Sequence, residues 1–273
     1  MGVISEKKVA ELIVPHLSVG KRGFKSKLCL VKVMLLILKR LKTGCQWREL
    51  VVKEHFDAEE ACWQSIYYYF NKWSKDGSFK RVWINILQSN KALLDLSTAQ
   101  LDGSHTPAKR GGESVGYQGR KSCKTSNSLI LSDNNGIPLC VGEPQDGKQN
   151  DLFDINSIFK GMLEILECAE VSLDGVFLNA DPGFDSEGFK KQCTDEKIEL
   201  NVKANPRNNK KELMEYTYFD ERLYKENRYK VEQSNAWMDA FKGTIIRYEK
   251  LTRNWWSMLW LCITAIFMRK IKV

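Results

Sequence analysis

The chain has 273 residues, enough for one large domain or two ordinary ones, and 43% hydrophobic with 28% charged residues is the balance of a folded globule, which excludes a disordered or low-complexity chain. Its 8 cysteines are scattered, with no CxxC pair and no clustered histidines, which excludes a disulfide scaffold or structural zinc site and reads as free thiols in a reducing cytosol. The net charge of +8 and pI near 9.0 suggest a polyanionic partner, because clustered Lys and Arg release counterions from phosphates.

The charge excess is N-terminal. Residues 1–100 hold 17 Lys+Arg against 9 Asp+Glu, so the rest of the chain is neutral. Between Lys21 and Lys53 lie Arg22, Lys25, Lys27, Lys32, Lys39, Arg40, Lys42 and Arg48, opposed only by Glu49. This region reads as helical. Leu28 to Leu41 is an apolar-rich run with Gly44 where a helix would end. Asp57 with Glu60 has the spacing of a capping box opening a helix through Trp63, Ile66, Tyr67, Phe70 and Trp73, with Gly77 past its end. In a third helix Phe79, Val82, Trp83, Ile86 and Leu87 form a core-facing stripe. Three short helices with a basic flank resemble a helix-turn-helix module, whose second helix would enter a DNA major groove; an ordinary bundle with the aromatics as its core fits the same pattern. Tyr67, Tyr68 and Tyr69 cannot all face inward on one helix, so at least one is available for contacts.

From about Ala99 the pattern changes to strands followed by helices, which places a boundary between a helical domain at 1–95 and an α/β domain at 96–273. Gln100 to Gly103 reads as a strand end, Ser128 to Leu131 and Ile137 to Val141 as two strands, and Asn134-Asn135-Gly136 as the hairpin turn joining them. A helix from about Leu152 to Cys168 leads to Val176–Asp181, an apolar run of the buried-strand kind ending in an acid. Ile198, Leu200 and Val202 alternate with polar residues as in a half-exposed strand. Residues 204–225, polar and basic, read as a mobile connection, and a final helical region begins near Tyr229, bringing Glu232, Ala236 and Ala240 onto one face. The N-terminus lacks the apolar core of a signal peptide. The apolar stretch Trp255 to Met268 is shorter than the roughly 20 residues a membrane span needs, so it reads as a buried C-terminal helix.

Three acids stand out by position. Asp102 follows a strand, Asp181 ends a buried strand, and Glu232 lies near the start of a long helix, so the strands can deliver two carboxylates to one sheet edge, where α/β folds build sites, while the helix adds a third. Hard oxygen donors suit Mg²⁺ or Mn²⁺. Carboxylates of this kind position two ions for phosphoryl transfer, in which water or a DNA 3′-hydroxyl attacks and no nucleophilic side chain is required.

The sequence around these acids carries a resemblance. Leu101-Asp102-Gly103-Ser104-His105-Thr106 with Ala108-Lys109 and Gly111-Gly112, then Ala180-Asp181-Pro182-Gly183-Phe184-Asp185-Ser186, then Arg228 to Trp237 resemble the DDE transposases of bacterial insertion sequences, specifically the insertion-sequence-five-like group. Leu41 to Arg48 and Tyr67 to Trp73 resemble that group's N-terminal domain, so Arg48 and Lys72 are assigned to DNA binding with it. The resemblance covers nearly the whole chain. It implies an RNase-H-like mixed sheet flanked by helices behind a small helix-turn-helix-like domain, with Asp102, Asp181 and Glu232 holding two Mg²⁺ or Mn²⁺ ions. It also implies cleavage at terminal inverted repeats, strand transfer into target DNA, and a bacterial cytoplasmic location. Arg228 matches the family's phosphate-contacting basic residue. The family's usual tyrosine stands three residues before that arginine; here the position is Lys225 and the nearest tyrosine is Tyr224, so the role is not carried over.

Asp185 is the competitor for the second ligand, and as an alternative would cap the following helix. His105 reads as satisfying a local hydrogen bond, with approach to DNA or metal as the alternative. Lys109, Arg110, Arg120, Lys121 and Lys124 are expected to line a DNA path, and Trp237 to be core rather than a base-stacking wedge. Holding two DNA ends together calls for a homodimer on DNA. Two other readings keep the same features: a decayed transposase that only binds DNA, and a structure-selective nuclease on the same fold.

Overall fold

The computed structural model describes residues 4–20, 28–57, 59–205 and 219–271. In chain order the helices begin with α1 (Glu6–Lys8), α2 (Leu30–Thr43), α3 (Trp63–Lys75) and α4 (Ser78–Ser89). Strands β1 (Thr98–Pro107), β2 (Gly116–Gln118), β3 (Cys123–Asp133), β4 (Pro138–Val141) and β5 (Gln145–Asp146) follow. Then come α5 (Ile155–Cys168), β6 (Phe177–Ala180), α6 (Glu187–Asp195), β7 (Glu199–Val202), α7 (Glu221–Asn227), α8 (Tyr229–Asp239), α9 (Lys242–Ile245) and α10 (Thr252–Met268). The chain forms two compact units, one of Met1–Asn90, Pro107–Glu113 and Trp237–Val273, the other of Lys91–Thr106 and Ser114–Ala236.

The first unit is helical and is built on α10. This helix is apolar on every side, and all its residues but Arg253 and Trp256 are buried, as expected of a helix enclosed by others. It packs on α2, α3 and α4, with Trp83 edge-on to Phe267 at 5.6 Å between ring centroids. Phe79, Val82, Trp83, Ile86 and Leu87, the stripe read from spacing, are buried. Lys8 Nζ donates to the carbonyls of Met268 (2.8 Å) and Ile271 (2.5 Å), a cation at the negative end of the helix dipole. No helix among the described residues is long and apolar enough to cross a membrane. The C-terminal segment thus packs with the N-terminal helices, although the sequence reading grouped it with residues 96–273.

Helix α2 ends as its sequence dictates: Gly44 takes φ of 67° and its N–H bonds to the Arg40 carbonyl at 2.8 Å. The Asp57/Glu60 pair does form, with the Asp57 N–H donating to Glu60 Oε2 at 3.2 Å, but it closes a separate turn. Helix α3 starts at Trp63 with no side-chain cap, which corrects the capping-box expectation. The basic run is only partly free. Arg40 is buried against Glu249 at 2.6 Å, Lys39 pairs with Glu54, Lys42 donates to the Ala240 carbonyl, and Lys32 lies over the Phe56 ring. Lys21, Arg22, Lys25 and Lys27 lie outside the described residues.

The second unit is a mixed sheet. Strands run in the order β2-β3-β1-β6-β7, and β4 and β5 also pair with β3. β1, β6 and β7 are parallel, and β3 and β4 form an antiparallel hairpin whose turn carries Gly136 at φ of 72°, the backbone region that Asn-Gly turns require. Parallel neighbours need crossovers, here supplied by α5 before β6 and α6 before β7; α5 packs on β4 and α6 on β7. The core order β4-β3-β1-β6-β7, with the last three parallel, is an RNase-H-like mixed α/β fold. Strands β2 and β5 have no counterpart in the sequence reading, and β1 runs on to Pro107, so Asp102 lies within its strand.

Two further expectations change. The stretch read as a mobile connection falls partly outside the described residues, at 206–218, but α7 begins at Glu221, with Asp220 capping it by accepting from the Leu223 N–H at 2.7 Å. Asn201, read as the exposed side of β7, is buried. Its Nδ2 donates to Asn179 Oδ1 at 2.7 Å and to the Asp220 carbonyl at 3.1 Å, while its Oδ1 accepts from the Asp220 N–H at 2.9 Å. Alternation of residue type could not show this, because the amide exchanges water for three protein partners.

Candidate active site

The ladder between β1 and β6 ends at Leu101 opposite Ala180. The next residues are Asp102, still within β1, and Asp181, just past the end of β6, so the two stand side by side where the β1–β6 ladder ends; adjacent strands lie about 4.8 Å apart. Neither acid is placed by its own preference. Apolar runs that must pair in register carry both to the edge.

The α7–α8 segment covers this edge. Arg228, in αR conformation between the two helices, lets them run on as one helical stretch. Its Nε lies 2.9 Å from Asp181 Oδ1 and its Nη2 3.3 Å from Asp102 Oδ1. One turn earlier, the Tyr224 hydroxyl donates to Asp181 Oδ1 at 2.9 Å. Two turns later, Asn235 Nδ2 donates to Asp102 Oδ2 at 3.2 Å. Tyr224, Arg228, Glu232 and Asn235 follow at helical spacing and share one face. That face is fixed from both ends. Asn201 holds the start of α7 to β7, and the buried Ser234 hydroxyl donates to the Gly136 carbonyl at 2.6 Å, tying α8 to the β3–β4 turn.

The electrostatics follow from burial. Burial pushes the Asp102 carboxyl above its ordinary pKa, Arg228 pulls it back, and the charge on Asp181 adds to the rise. Burial also works against the Arg228 charge, but Asp102 and Asp181 outweigh it and raise its pKa. Tyr224 is raised by burial and by its bond to Asp181. Asp102 is mostly covered, with 18% of its side chain exposed, whereas Asp181 is open at 43%. The centre is thus two carboxylates that demand positive charge, with a guanidinium meeting that demand.

Glu232 is exposed. It stands on the same face as Arg228 and Asn235, but among the described residues no three acids, histidines or cysteines converge closely enough to hold a metal ion. The structure therefore brings Asp102, Asp181 and Arg228 together, with Glu232 exposed on the helical face that carries Arg228. Tyr224, set aside on the sequence because it stands four residues before Arg228, is in contact with Asp181; the i, i+4 spacing was the signal. Asn235 was missed as well, and its signal was the same helical repeat.

Asp185 is not part of the centre. It is buried, pairs with Lys190 at 2.5 Å and accepts from the Asn205 N–H at 2.7 Å. The cap expected of it falls to Ser186, which accepts from the Phe189 N–H at 3.3 Å, so that expectation is corrected. His105 bonds to Thr125 and Gln118. Arg120, Lys121 and Lys124 are exposed around the β2–β3 hairpin of the second unit, while Lys109 and Arg110, also exposed, belong to the first. Arg48 is exposed, Lys72 donates to the Ser18 carbonyl at 3.3 Å, and Trp237 is half-buried with Lys270 over its ring.

The site is thus an RNase-H-like sheet with two aspartates side by side where the β1–β6 ladder ends, covered by an arginine between two helices. Residues 8–83 match the family described as "Putative transposase of IS4/5 family", which supports an IS4/5-like transposase. No match was found among curated proteins. Among solved structures the chain is similar to the piggyBac transposase synaptic complex with hairpin DNA, at 11% identity and a TM-score of 0.45, covering 89% of this chain and 66% of that one. It is also similar to the Mos1 transposase paired-end complex with left transposon end, at 10% identity and a TM-score of 0.30, covering 80% of this chain and 81% of that one. The chain thus spans just under two thirds of the piggyBac protein. Likenesses this distant add nothing to the fold assignment, which rests on strand order.

Proposed function

We propose that this chain is a DDE transposase that binds the terminal inverted repeats of an insertion sequence and cuts and rejoins DNA at Asp102, Asp181 and Glu232. The observation that carries the reading is the register that sets Asp102 and Asp181 abreast under Arg228. Two hard carboxylates, one of them desolvated, held against a cation fit a site for divalent cations. Asp102 and Asp181 would hold Mg²⁺ or Mn²⁺, with Glu232 supplying the third carboxylate from the same helical face. Such ions, when bound, supply activation of the attacking oxygen and stabilisation of the leaving one.

The chain's own residues do the rest. Arg228, a planar donor whose Nη1 has no hydrogen-bond partner among the described residues, is suited to a phosphate oxygen. Tyr224 and Asn235 orient the two aspartates from opposite ends of the face. The partners in this reading are terminal-repeat and target DNA, and the working form is a homodimer, with the first unit as the DNA-binding domain and the second as the catalytic one.

The test is metal-dependent cleavage and joining of a labelled duplex, taken from DNA flanking the gene, by wild type and by Glu232→Gln. Activity that disappears in the variant supports the three-acid reading. The alternative of a decayed, binding-only protein predicts instead that wild type binds the duplex and leaves it uncut. Cutting without joining would instead indicate a nuclease. Gel filtration with and without the duplex tests the dimer, and a strictly 1:1 complex throughout cleavage would defeat it.

A further inference from the structure

The β2–β3 hairpin is cationic and carries an exposed aromatic side chain. Residues 114–124 include Arg120, Lys121 and Lys124 and no acid, and all three cations are exposed. Tyr117 stands opposite Lys124 in the hairpin register and is 61% exposed. Side chains alternate along a strand, and Gln118 is turned inward: its Nε2 lies 3.3 Å from His105 Nε2 and 3.4 Å from the Gly147 carbonyl. Tyr117 and its cross-strand neighbour Lys124 therefore share the outward face.

The hairpin is anchored beside the acid centre. His105 Nδ1 lies 3.2 Å from Thr125 Oγ1, and Lys121 Nζ donates to the His105 carbonyl at 2.6 Å. His105 is three residues beyond Asp102 on β1, about 10 Å along the strand, or about three nucleotide steps of a B-form strand.

We propose that Tyr117 stacks on an unpaired DNA base a few nucleotides from a phosphate held by Arg228 beside Asp102 and Asp181, while Arg120, Lys121 and Lys124 contact the neighbouring phosphates. The proposal rests on the DNA-cutting reading and adds the form of DNA that the arm recognises. Cations alone would serve a duplex, whose phosphates are outside and whose base faces are covered by stacking. An aromatic face gains only from a base that has left the stack, and it accepts any base.

Fluorescence anisotropy of the full chain in EDTA, where cutting cannot intervene, tests this with two labelled probes: a blunt mixed-sequence duplex and the same duplex with a three-nucleotide single-stranded extension. Tyr117→Ala is expected to weaken binding to the extended probe about tenfold, within the range of one base–aromatic stack, and to leave the blunt duplex within about twofold. Tyr117→Phe keeps the stacking face and should retain wild-type binding to both. Arg120→Ala should weaken both probes and reduce the salt dependence by about one phosphate contact. Equal affinities of Tyr117→Ala and wild type for the extended probe, or equal losses on the two probes, would overturn the proposal. Wild type that binds neither probe would overturn the DNA reading with it, whereas a preserved Tyr117 effect in a chain that never cuts would leave the arm standing and remove only the enzyme.

Discussion

Replacing Arg228 with Ala is expected to destabilise the protein without metal and make it more responsive to Mg²⁺. The guanidinium lies 3.3 Å from Asp102 and 2.9 Å from Asp181. Removing one partner of a fully buried ion pair costs about 3–5 kcal/mol. Asp181 is 43% exposed, so water screens much of its share, and about 2 kcal/mol remains. In a protein of this size that lowers Tm by about 4–8 °C. The two carboxylates then face each other without a cation, which strengthens the site for a divalent ion, and Mg²⁺ at about 100 times its Kd would restore roughly 2.7 kcal/mol. Thermal melts of both proteins in EDTA and in Mg²⁺ read this directly: the variant should melt lower in EDTA and show the larger Mg²⁺-induced rise. A variant that melts with wild type in EDTA, or a wild type that gains as much from Mg²⁺, would refute the reasoning.

Asp102→Asn should keep DNA affinity, which comes mainly from basic contacts elsewhere, and lose cleavage; loss of both in a folded variant would make Asp102 structural. Because the folded pKa of Asp102 is raised, its stabilising contribution is present below the unfolded value near 3.9 and is lost as pH rises through the folded value. In metal-free urea unfolding, the stability of Asp102→Asn relative to wild type should therefore be greater at pH 7 than at pH 4. Arg40→Met leaves Glu249 buried and unpaired and should cost about 3–5 kcal/mol, part of it recovered by adding Glu249→Gln; a double variant no better than the single would contradict the pairing. Ser234→Ala should cost about 1 kcal/mol and lower activity through a loosened α8, measured by chemical unfolding alongside cleavage rate.

Much of the fold could be read from residue order because local physics dictated it. Apolar spacing marked α2 and α4, Gly44 marked a helix end, Asn134-Asn135-Gly136 marked a hairpin, and the run ending in Asp181 marked a buried strand. Each depends on residues a few positions apart. Several expectations failed where a partner distant in sequence decides the outcome. Asn201 is buried because Asn179 and Asp220 satisfy its amide, and Asp185 is taken up by the Asn205 N–H, whereas the shift of the helix cap to Ser186 is a local matter. The basic run from Lys32 to Lys42 lost much of its value as a DNA signal for the same reason, its charges being met by Glu54, Glu249, a carbonyl and a ring.

The candidate site divides along the same line. Sequence alone determined that acids stand at the ends of strand-like runs and that Glu232 lies near the start of a helix, four residues after Arg228. Only the tertiary structure decided that Leu101 pairs with Ala180, which sets Asp102 beside Asp181, that Tyr224 reaches the second of them, and that Glu232 is exposed. Strand register and helix docking are set by the burial of whole apolar faces, and no single residue carries that information.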